Sequence, residues 1–124
     1  MNIISTQNAP QAIGPYSQAI VVNGMIYTSG QIGLMPNGEM AGNGITSQTN
    51  QVLSNLKAVL EAGGSSMDSV IKTTIFFADI DDFSTVNEIY EKHFGTHKPA
   101  RSTVAAKTLP KNALVEIECV ALVK

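Results

Sequence analysis

The sequence predicts an α+β domain in which two helices pack on one face of a mixed β-sheet. Two segments with helical periodicity alternate with short β-prone segments, and strand patterns that suit antiparallel pairing lie at both ends of the chain. The chain has 124 residues, of which 44% are hydrophobic and 15% are charged. This length suffices for one packed core and is too short for two ordinary domains. We therefore expect residues 1–124 to form a single domain.

The N-terminal part of the chain predicts an edge strand and a hairpin. Prolines and glycines interrupt the first segment, which we expect to form a short edge strand followed by a loop. Asn23-Gly24 then separates two β-prone runs, and this dipeptide is the strongest local signal of a type I′ hairpin turn. Four glycines and a proline predict a loop over residues 31–44.

Two segments have the apolar periodicity of helices. The first is predicted over residues 46–62, where a Gly-Gly pair provides the C-terminal stop. Its apolar face comprises Val52, Leu53, Leu56, Val59 and Leu60. Asp81 or Asp82 is the expected N-cap of the second helix, which ends before Gly95. The apolar face of this second helix comprises Phe83, Val86, Tyr90 and Phe94.

Three further β-prone segments complete the predicted sheet. Residues 70–78 predict a central strand, and residues 101–106 and 113–123 predict the last two. One side of the last strand carries Val115, Ile117, Cys119, Ala121 and Val123, and the other carries Glu116, Glu118, Val120 and Leu122. Because two helices cover only one face of the sheet, we expect the second face to be buried against another subunit.

The composition excludes several classes of protein. Eight basic and ten acidic residues give a formal net charge of −2, which disfavours sequence-independent binding to nucleic acid. A single cysteine, Cys119, cannot form an intramolecular disulfide. No apolar run approaches the ~18 residues that span a bilayer, and the N-terminus lacks the pattern of a signal peptide. The sequence therefore predicts a cytoplasmic protein without a membrane partner.

Two candidate reactive groups have simpler structural interpretations. His93 and His97 lie four residues apart, but Gly95 ends the helix between them and no third ligand lies nearby in the sequence. We interpret them as a solvated helix end rather than a metal pair. Cys119 follows the strand alternation into the apolar face, where it is expected to act as a small hydrophobic side chain.

Three polar residues are better candidates for a functional site. Arg101 is the only arginine in the chain, and its planar guanidinium can bind a carboxylate in bidentate fashion; a structural salt bridge is the open alternative. Glu118 lies in a β-prone run on the face that we expect to be covered, where a raised pKa would suit a general base. Asn87 lies on the apolar side of the second helix, and its amide either binds the backbone or faces a site.

Four motifs occur in order from the first strand to the last. They are Ile13-Gly-Pro-Tyr-Ser-Gln-Ala19, Thr28-Ser-Gly-Gln-Ile32, Lys98-Pro-Ala-Arg-Ser-Thr-Val104, and Leu109-Pro with Val115-Glu-Ile-Glu118. Together they resemble the reactive-intermediate deaminase family (RidA, YjgF-like). The resemblance implies a chorismate-mutase-like fold and a homotrimer with sites in the clefts between subunits. It also implies hydrolysis of 2-imino acids, such as iminobutanoate and iminopropanoate, to 2-oxo acids and ammonia, without a metal or organic cofactor.

The same resemblance assigns roles to individual positions. It assigns Arg101 to the substrate carboxylate and Glu118 to the attacking water. The positions that it implies for the substrate pocket are Tyr16, Ser29, Gly30 and Asn87. Thr103 stands where many members carry cysteine; its backbone carbonyl can still contact the substrate nitrogen, so we expect activity to be retained.

Other functions stay open at the level of the sequence. A regulatory protein could use the same cleft to sense a small carboxylate, and a ribonuclease-like protein would act on RNA. The net charge of −2 and the low aromatic content of 6% fit RNA binding poorly. A carboxylate sensor, in turn, gains nothing from a second buried negative charge beside its ligand, so Glu118 favours the enzyme.

Overall fold

A computed structural model describes residues 1–124 as one six-stranded sheet with two helices. In chain order the elements are β1 (Asn2–Ile4), β2 (Ala19–Val22), β3 (Met25–Thr28), α1 (Ile45–Ala62), β4 (Val70–Phe77), α2 (Phe83–Phe94), β5 (Ala100–Ala105) and β6 (Val115–Leu122). The strand order is β1-β2-β3-β6-β4-β5. Only β4 and β5 pair in parallel, and all other neighbours are antiparallel. The predicted α+β fold with a mixed sheet is confirmed.

The predicted hairpin and edge strand are both present. Asn23 has φ 52° and Gly24 has φ 76°, which are the two left-handed conformations that a type I′ turn needs. The turn brings Val22 opposite Met25 in the β2–β3 ladder. Strand β1 lies at the edge of the sheet and pairs only with β2.

Helix α1 covers the centre of the sheet through the predicted apolar face. Its five core residues, Val52, Leu53, Leu56, Val59 and Leu60, have no solvent exposure. Gly63 caps the end of the helix, where a Cβ atom would lie too close to the end of the Ile26 side chain of β3 unless that side chain moved. The glycine therefore suits the close packing of the end of α1 against the β2–β3 hairpin.

Helix α2 begins differently from the prediction. Asp82 occupies the N-cap position but makes no side-chain cap hydrogen bond. Instead, a 3₁₀ turn at Ile80–Asp82 precedes the helix, and the carboxylate of Asp79 accepts a hydrogen bond of 2.9 Å from the backbone N–H of Asp81. The predicted N-cap position is confirmed at Asp82, but the side-chain cap is made one turn earlier, by Asp79 at the start of the 3₁₀ turn. The predicted stop is confirmed at Gly95, which has φ 65°.

The two faces of the sheet differ as the alternation of β6 predicts. One face of β6 is buried, and it comprises Val115, Ile117, Cys119 and Ala121. On the other face, Glu118 is exposed, and Leu122 is 51% exposed. Tyr27 of β3 is 46% exposed and pairs with Val120, so apolar side chains of two neighbouring strands lie uncovered on this open face. Its burial by another subunit stays a prediction.

Buried amides position the long loop that precedes α1. The side chain of Asn55 in α1 donates hydrogen bonds to the carbonyls of Ile32 and Leu34, at 3.2 and 2.8 Å. The backbone of Gln31 exchanges two hydrogen bonds with Ile117 of β6, at 2.9 and 3.1 Å. These contacts hold the residues after β3 against α1 and β6. Neither helix is long and apolar enough to cross a membrane.

Candidate functional site

The predicted site residues fall into two groups on opposite faces of the sheet. Arg101 pairs with Thr73 in the parallel β4–β5 ladder, and Thr73 is buried beneath α2. Side chains that are directly paired across a ladder share a face, so Arg101 lies on the helix-covered side. Glu116 pairs with Phe76 and directly precedes the buried Ile117 in β6, and therefore lies on the open side. A single chain thus presents an arginine half-site and a glutamate half-site that the sheet separates.

Arg101 lies against two aromatic rings of α2. The guanidinium carbon is 5.0 Å from the centre of the Tyr90 ring and 5.5 Å from that of Phe83. Both distances are within the ~6 Å range of cation–π attraction. The salt bridge that the sequence left open is not what holds this side chain, because its neighbours are rings rather than a carboxylate.

Asn87 and Arg101 line the same groove. The groove has a volume of about 510 Å³ and lies between α2 and the segment that leads into β5. His97, Lys98 and Pro99 form its opposite wall. Thr103 lies two residues after Arg101 on the same strand and is partly buried opposite Ile75, but it does not line this groove. The arginine half-site therefore combines a fixed cation with one amide.

The glutamate half-site forms where the loop after β3 meets β6. Pairing of Gln31 with Ile117 brings Gly30 directly beneath the side chain of Glu116. A Cβ atom on Gly30 would lie 2.8 Å from the carboxyl carbon of Glu116, which is closer than real contacts of this type. The glycine therefore lets the carboxylate take this position, and a larger residue would require the Glu116 side chain to shift. Tyr16, Gly30 and Glu116 line one pocket.

The sequence predicts a covered position and a raised pKa for Glu118, but in the structure it is Glu116 that is partly buried and has the raised pKa. Burial raises the pKa of Glu116 above its ordinary value, and the charge of Glu118 raises it further. Glu118 itself is exposed and lies two residues further along the same face. Sequence reasoning missed Glu116 because both glutamates share that face. The conformation of the loop at Gly30 distinguishes them, and strand alternation carries no information about it.

Tyr16 and Ser29 shape the edge of the glutamate half-site. The hydroxyl of Ser29 donates a 2.6 Å hydrogen bond to the carbonyl of Ser17, and the hydroxyl of Tyr16 accepts one of 3.3 Å from the N–H of Ile13. Ser29 therefore fastens the end of β3 to the segment that carries Tyr16. Half of Tyr16 remains exposed.

Gln18 is a structural residue of this half-site that sequence reasoning did not single out. Its side chain is buried, accepts a 2.7 Å hydrogen bond from the N–H of Thr6 and donates one of 2.8 Å to the carbonyl of Pro10. These bonds hold the N-terminal segment as one wall of the pocket. Its place in the motif from Ile13 to Ala19 was the signal available in the sequence.

The other titratable groups have structural partners. His93 bonds to the Asn50 side chain at 3.0 Å, whereas His97 bonds to the backbone carbonyl of Val70 at 2.6 Å, so the two histidines bind different elements. Burial raises the pKa of Cys119 to about 12, which keeps the thiol protonated. No group of three or more His, Cys, Asp or Glu side chains is arranged to hold a metal ion.

Comparison with known proteins identifies the family. A family profile described as endoribonuclease L-PSP matches residues 6–123. The chain is 54% identical over 125 residues to AldR of Lactococcus lactis, a proposed regulator, with 100% of this chain and 99% of the relative covered. It is 47% identical over 121 residues to human 2-iminobutanoate/2-iminopropanoate deaminase, with 97% of this chain and 88% of the relative covered. The chain belongs to the RidA (YjgF-like) family.

Solved structures of the RidA family agree with this fold. The Escherichia coli protein TdcF, whose crystal structure contains bound serine, superposes with a TM-score of 0.95 at 41% identity, and both chains are covered completely. The E. coli YjgF protein superposes with a TM-score of 0.95 at 44% identity, again over both complete chains. The resemblance of the four sequence motifs to this family is confirmed.

Proposed function

We propose that this RidA-family protein hydrolyses small 2-imino acids, such as 2-iminobutanoate and 2-iminopropanoate, to 2-oxo acids and ammonia. The observation that carries the proposal is the pair of half-sites: a guanidinium fixed on two rings, and a partly buried glutamate with a raised pKa. The first suits a carboxylate, and the second suits a general base. Related proteins named for this activity support the same conclusion.

Each half-site would supply one part of the reaction. Arg101 binds the substrate carboxylate through two parallel N–H donors, which orients the adjacent imine carbon. Glu116 accepts a proton from a water molecule as the water oxygen adds to that carbon. The resulting carbinolamine is protonated on nitrogen, the C–N bond breaks, and ammonia leaves as the C=O bond of the 2-oxo acid forms. The reaction consumes one water and needs no oxidant or reductant.

Glu116, rather than Glu118, takes the role of the water-binding glutamate in this proposal. Glu116 lines a pocket with Tyr16 and lies over the backbone of Gly30. Glu118 is exposed, so water solvates its carboxylate and gives it no particular orientation. Its charge instead contributes to the raised pKa of Glu116.

The separation of the half-sites implies that the complete site lies between two copies of the chain. Arg101 and Glu116 lie on opposite faces of one sheet, so one small ligand cannot contact both in a single chain. The open face also exposes the apolar side chains of Tyr27 and Leu122, which favours its burial by association. We propose a homotrimer, in which cyclic symmetry places the arginine half-site of one subunit against the glutamate half-site of the next.

Sensing of a small carboxylate is the alternative function. A guanidinium that binds a carboxylate can serve recognition as well as turnover, and AldR, a relative at 54% identity, carries a name that proposes regulation. A half-buried carboxylate beside the ligand distinguishes the two functions, because its charge opposes binding of an anion and helps only a reaction. Glu116 therefore favours the enzyme.

A coupled assay tests the proposed function directly. A threonine dehydratase generates 2-iminobutanoate, and release of 2-oxobutanoate is followed with and without this protein. The proposal predicts faster release in proportion to the protein added. Unchanged release, together with tight binding of 2-oxobutanoate, would support the carboxylate sensor instead, and cleavage of RNA would support a ribonuclease.

A further inference from the structure

We propose that Tyr90 and Phe83 are positioning residues, which hold the Arg101 guanidinium so that its N–H donors face the carboxylate of the substrate. This inference deepens the proposed function and rests on it for the identity of the ligand. Two aromatic side chains of α2, seven residues apart, and one hydroxyl of β4 carry the argument. None of the three is among the residues that the sequence motifs implicate.

The Tyr90 ring is held rigidly. Its side chain is only 7% exposed, and its hydroxyl forms a 2.8 Å hydrogen bond with the hydroxyl of Thr73 on β4, the strand next to β5. The ring also packs against Phe94, with ring centres 4.5 Å apart. Because Thr73 and Phe94 hold the ring, the ring in turn fixes the position of the Arg101 guanidinium, whose carbon lies 5.0 Å from the ring centre.

Phe83 provides the second contact from the first turn of α2. Its ring centre lies 5.5 Å from the Arg101 guanidinium, and its ring packs at 6.2 Å against the buried ring of Phe77. Phe83 is 37% exposed, so its ring lies at the edge of the core, where one side can contact Arg101. Contact with Arg101 accounts for a large aromatic side chain at this partly exposed position.

Aromatic rings suit this task because they leave the hydrogen-bonding groups of arginine free. A carboxylate partner would occupy the fork of N–H donors, whereas a ring attracts the cation through its π face. The guanidinium is thereby held without losing its capacity to bind a carboxylate in bidentate fashion. A side chain that is already ordered also loses less conformational entropy when the ligand binds.

Burial keeps the Tyr90 ring suitable for this contact over the ordinary pH range. Burial raises the pKa of the Tyr90 hydroxyl above its usual value, although the Thr73 hydrogen bond and the Arg101 charge oppose the shift. The ring therefore stays a neutral phenol. Its interaction with Arg101 is that of a π face with a cation and does not become an ion pair at neutral pH.

Three variants and one control test the positioning role. Phe83→Leu and Tyr90→Leu each remove one ring, whereas Tyr90→Phe keeps the ring and removes the hydrogen bond to Thr73. The control is Val86→Ala, which weakens the buried core of the same helix at a residue that is not among the aromatic contacts of Arg101. For each protein, calorimetry gives the Kd of 2-oxobutanoate, the coupled assay gives KM and kcat, and thermal unfolding gives Tm.

The ring-removing variants are expected to weaken 2-oxobutanoate binding about 5- to 30-fold, which is the range of a desolvated cation–π contact. KM should rise in parallel with Kd, Tyr90→Phe should recover most of the affinity, and Val86→Ala should lower Tm while leaving Kd unchanged. Wild-type Kd in folded Phe83→Leu would overturn the proposal, and so would a loss of affinity in Val86→Ala as large as that in the ring variants. If Tyr90→Leu does not fold, the Kd of Phe83→Leu alone decides whether the rings position Arg101.

The binding measurement also separates this inference from the proposed function. If the wild-type protein binds 2-oxobutanoate but does not accelerate imine hydrolysis, the proposed activity is wrong, and the Kd values of the variants still decide whether the rings position Arg101. If the wild-type protein hydrolyses the imine and the ring variants keep both Kd and KM, the positioning role is wrong and the activity stands.

Discussion

Replacing Glu116 with glutamine should separate catalysis from stability. The change keeps the size and much of the hydrogen bonding of the side chain but removes the proposed base, so turnover should fall by about 10²–10⁴. Stability should not fall with it. Burial and the charge of Glu118 raise the pKa of Glu116 in the folded protein, so the ionised carboxylate is unfavourable there at neutral pH. The Tm of Glu116→Gln should therefore equal or exceed that of the wild type.

Glu118→Gln is the matched control for this experiment. It makes the same chemical change two residues away on the same face of β6, at an exposed position. The coupled imine assay should show most of the wild-type turnover in Glu118→Gln and very little in Glu116→Gln. The opposite result, with turnover lost in Glu118→Gln and kept in Glu116→Gln, would refute the assignment of the base.

The pH dependence of kcat/KM adds a second readout to the same pair. A base acts in its ionised form, so activity should fall as pH drops through the raised pKa of Glu116, at a higher pH than for an ordinary glutamate. Removing the charge of Glu118 lowers the pKa of Glu116, so the acid limb of Glu118→Gln should move to lower pH. A move to higher pH would contradict the account.

Three further predictions follow from single contacts. Arg101→Lys should lose most imine hydrolysis and bind 2-oxobutanoate more weakly, because an ammonium keeps the charge but not the bidentate fork; normal turnover would disprove the carboxylate role. Gly30→Ala should reduce kcat/KM in the coupled assay, because the added methyl group would force the Glu116 carboxylate to shift from this position; unchanged kcat/KM would show that the carboxylate works from another position. Cys119 should resist alkylation in the native protein at pH 8 and react after unfolding, since its pKa is about 12; rapid native alkylation, followed by mass spectrometry, would contradict its burial.

The sequence was sufficient for the elements whose structure depends on local patterns. The five-residue apolar stripe of α1 predicts its buried face, and Asn23-Gly24 predicts the hairpin because few dipeptides adopt two successive left-handed conformations. The sequence indicated Asp82 as an N-cap position of α2, but not which aspartate side chain makes a capping hydrogen bond. Three aspartates lie at positions 79, 81 and 82, and the 3₁₀ turn that selects Asp79 is visible only in the folded backbone.

The site was predictable in its residue types but not in its arrangement. The uniqueness of Arg101 and its motif singled out the cation, whereas its aromatic neighbours come from α2, which only the folded structure brings against β5. Strand alternation placed Glu116 and Glu118 on the same face and could not choose between them. Contact between Gly30 and Glu116 depends on pairing across 86 residues of sequence, between Gln31 and Ile117, and no local pattern encodes such a pairing.

If one catalytic site combines Arg101 of one copy with Glu116 of another, two inactive variants should complement each other in mixed oligomers. Arg101→Ala and Glu116→Gln should each be inactive alone. When the two variants are co-expressed and purified together, random assembly in a cyclic oligomer gives intact pairs at about a quarter of the interfaces. Imine hydrolysis should therefore return to about that fraction of the wild-type rate. Mixed oligomers that stay as inactive as their parents would contradict a shared site.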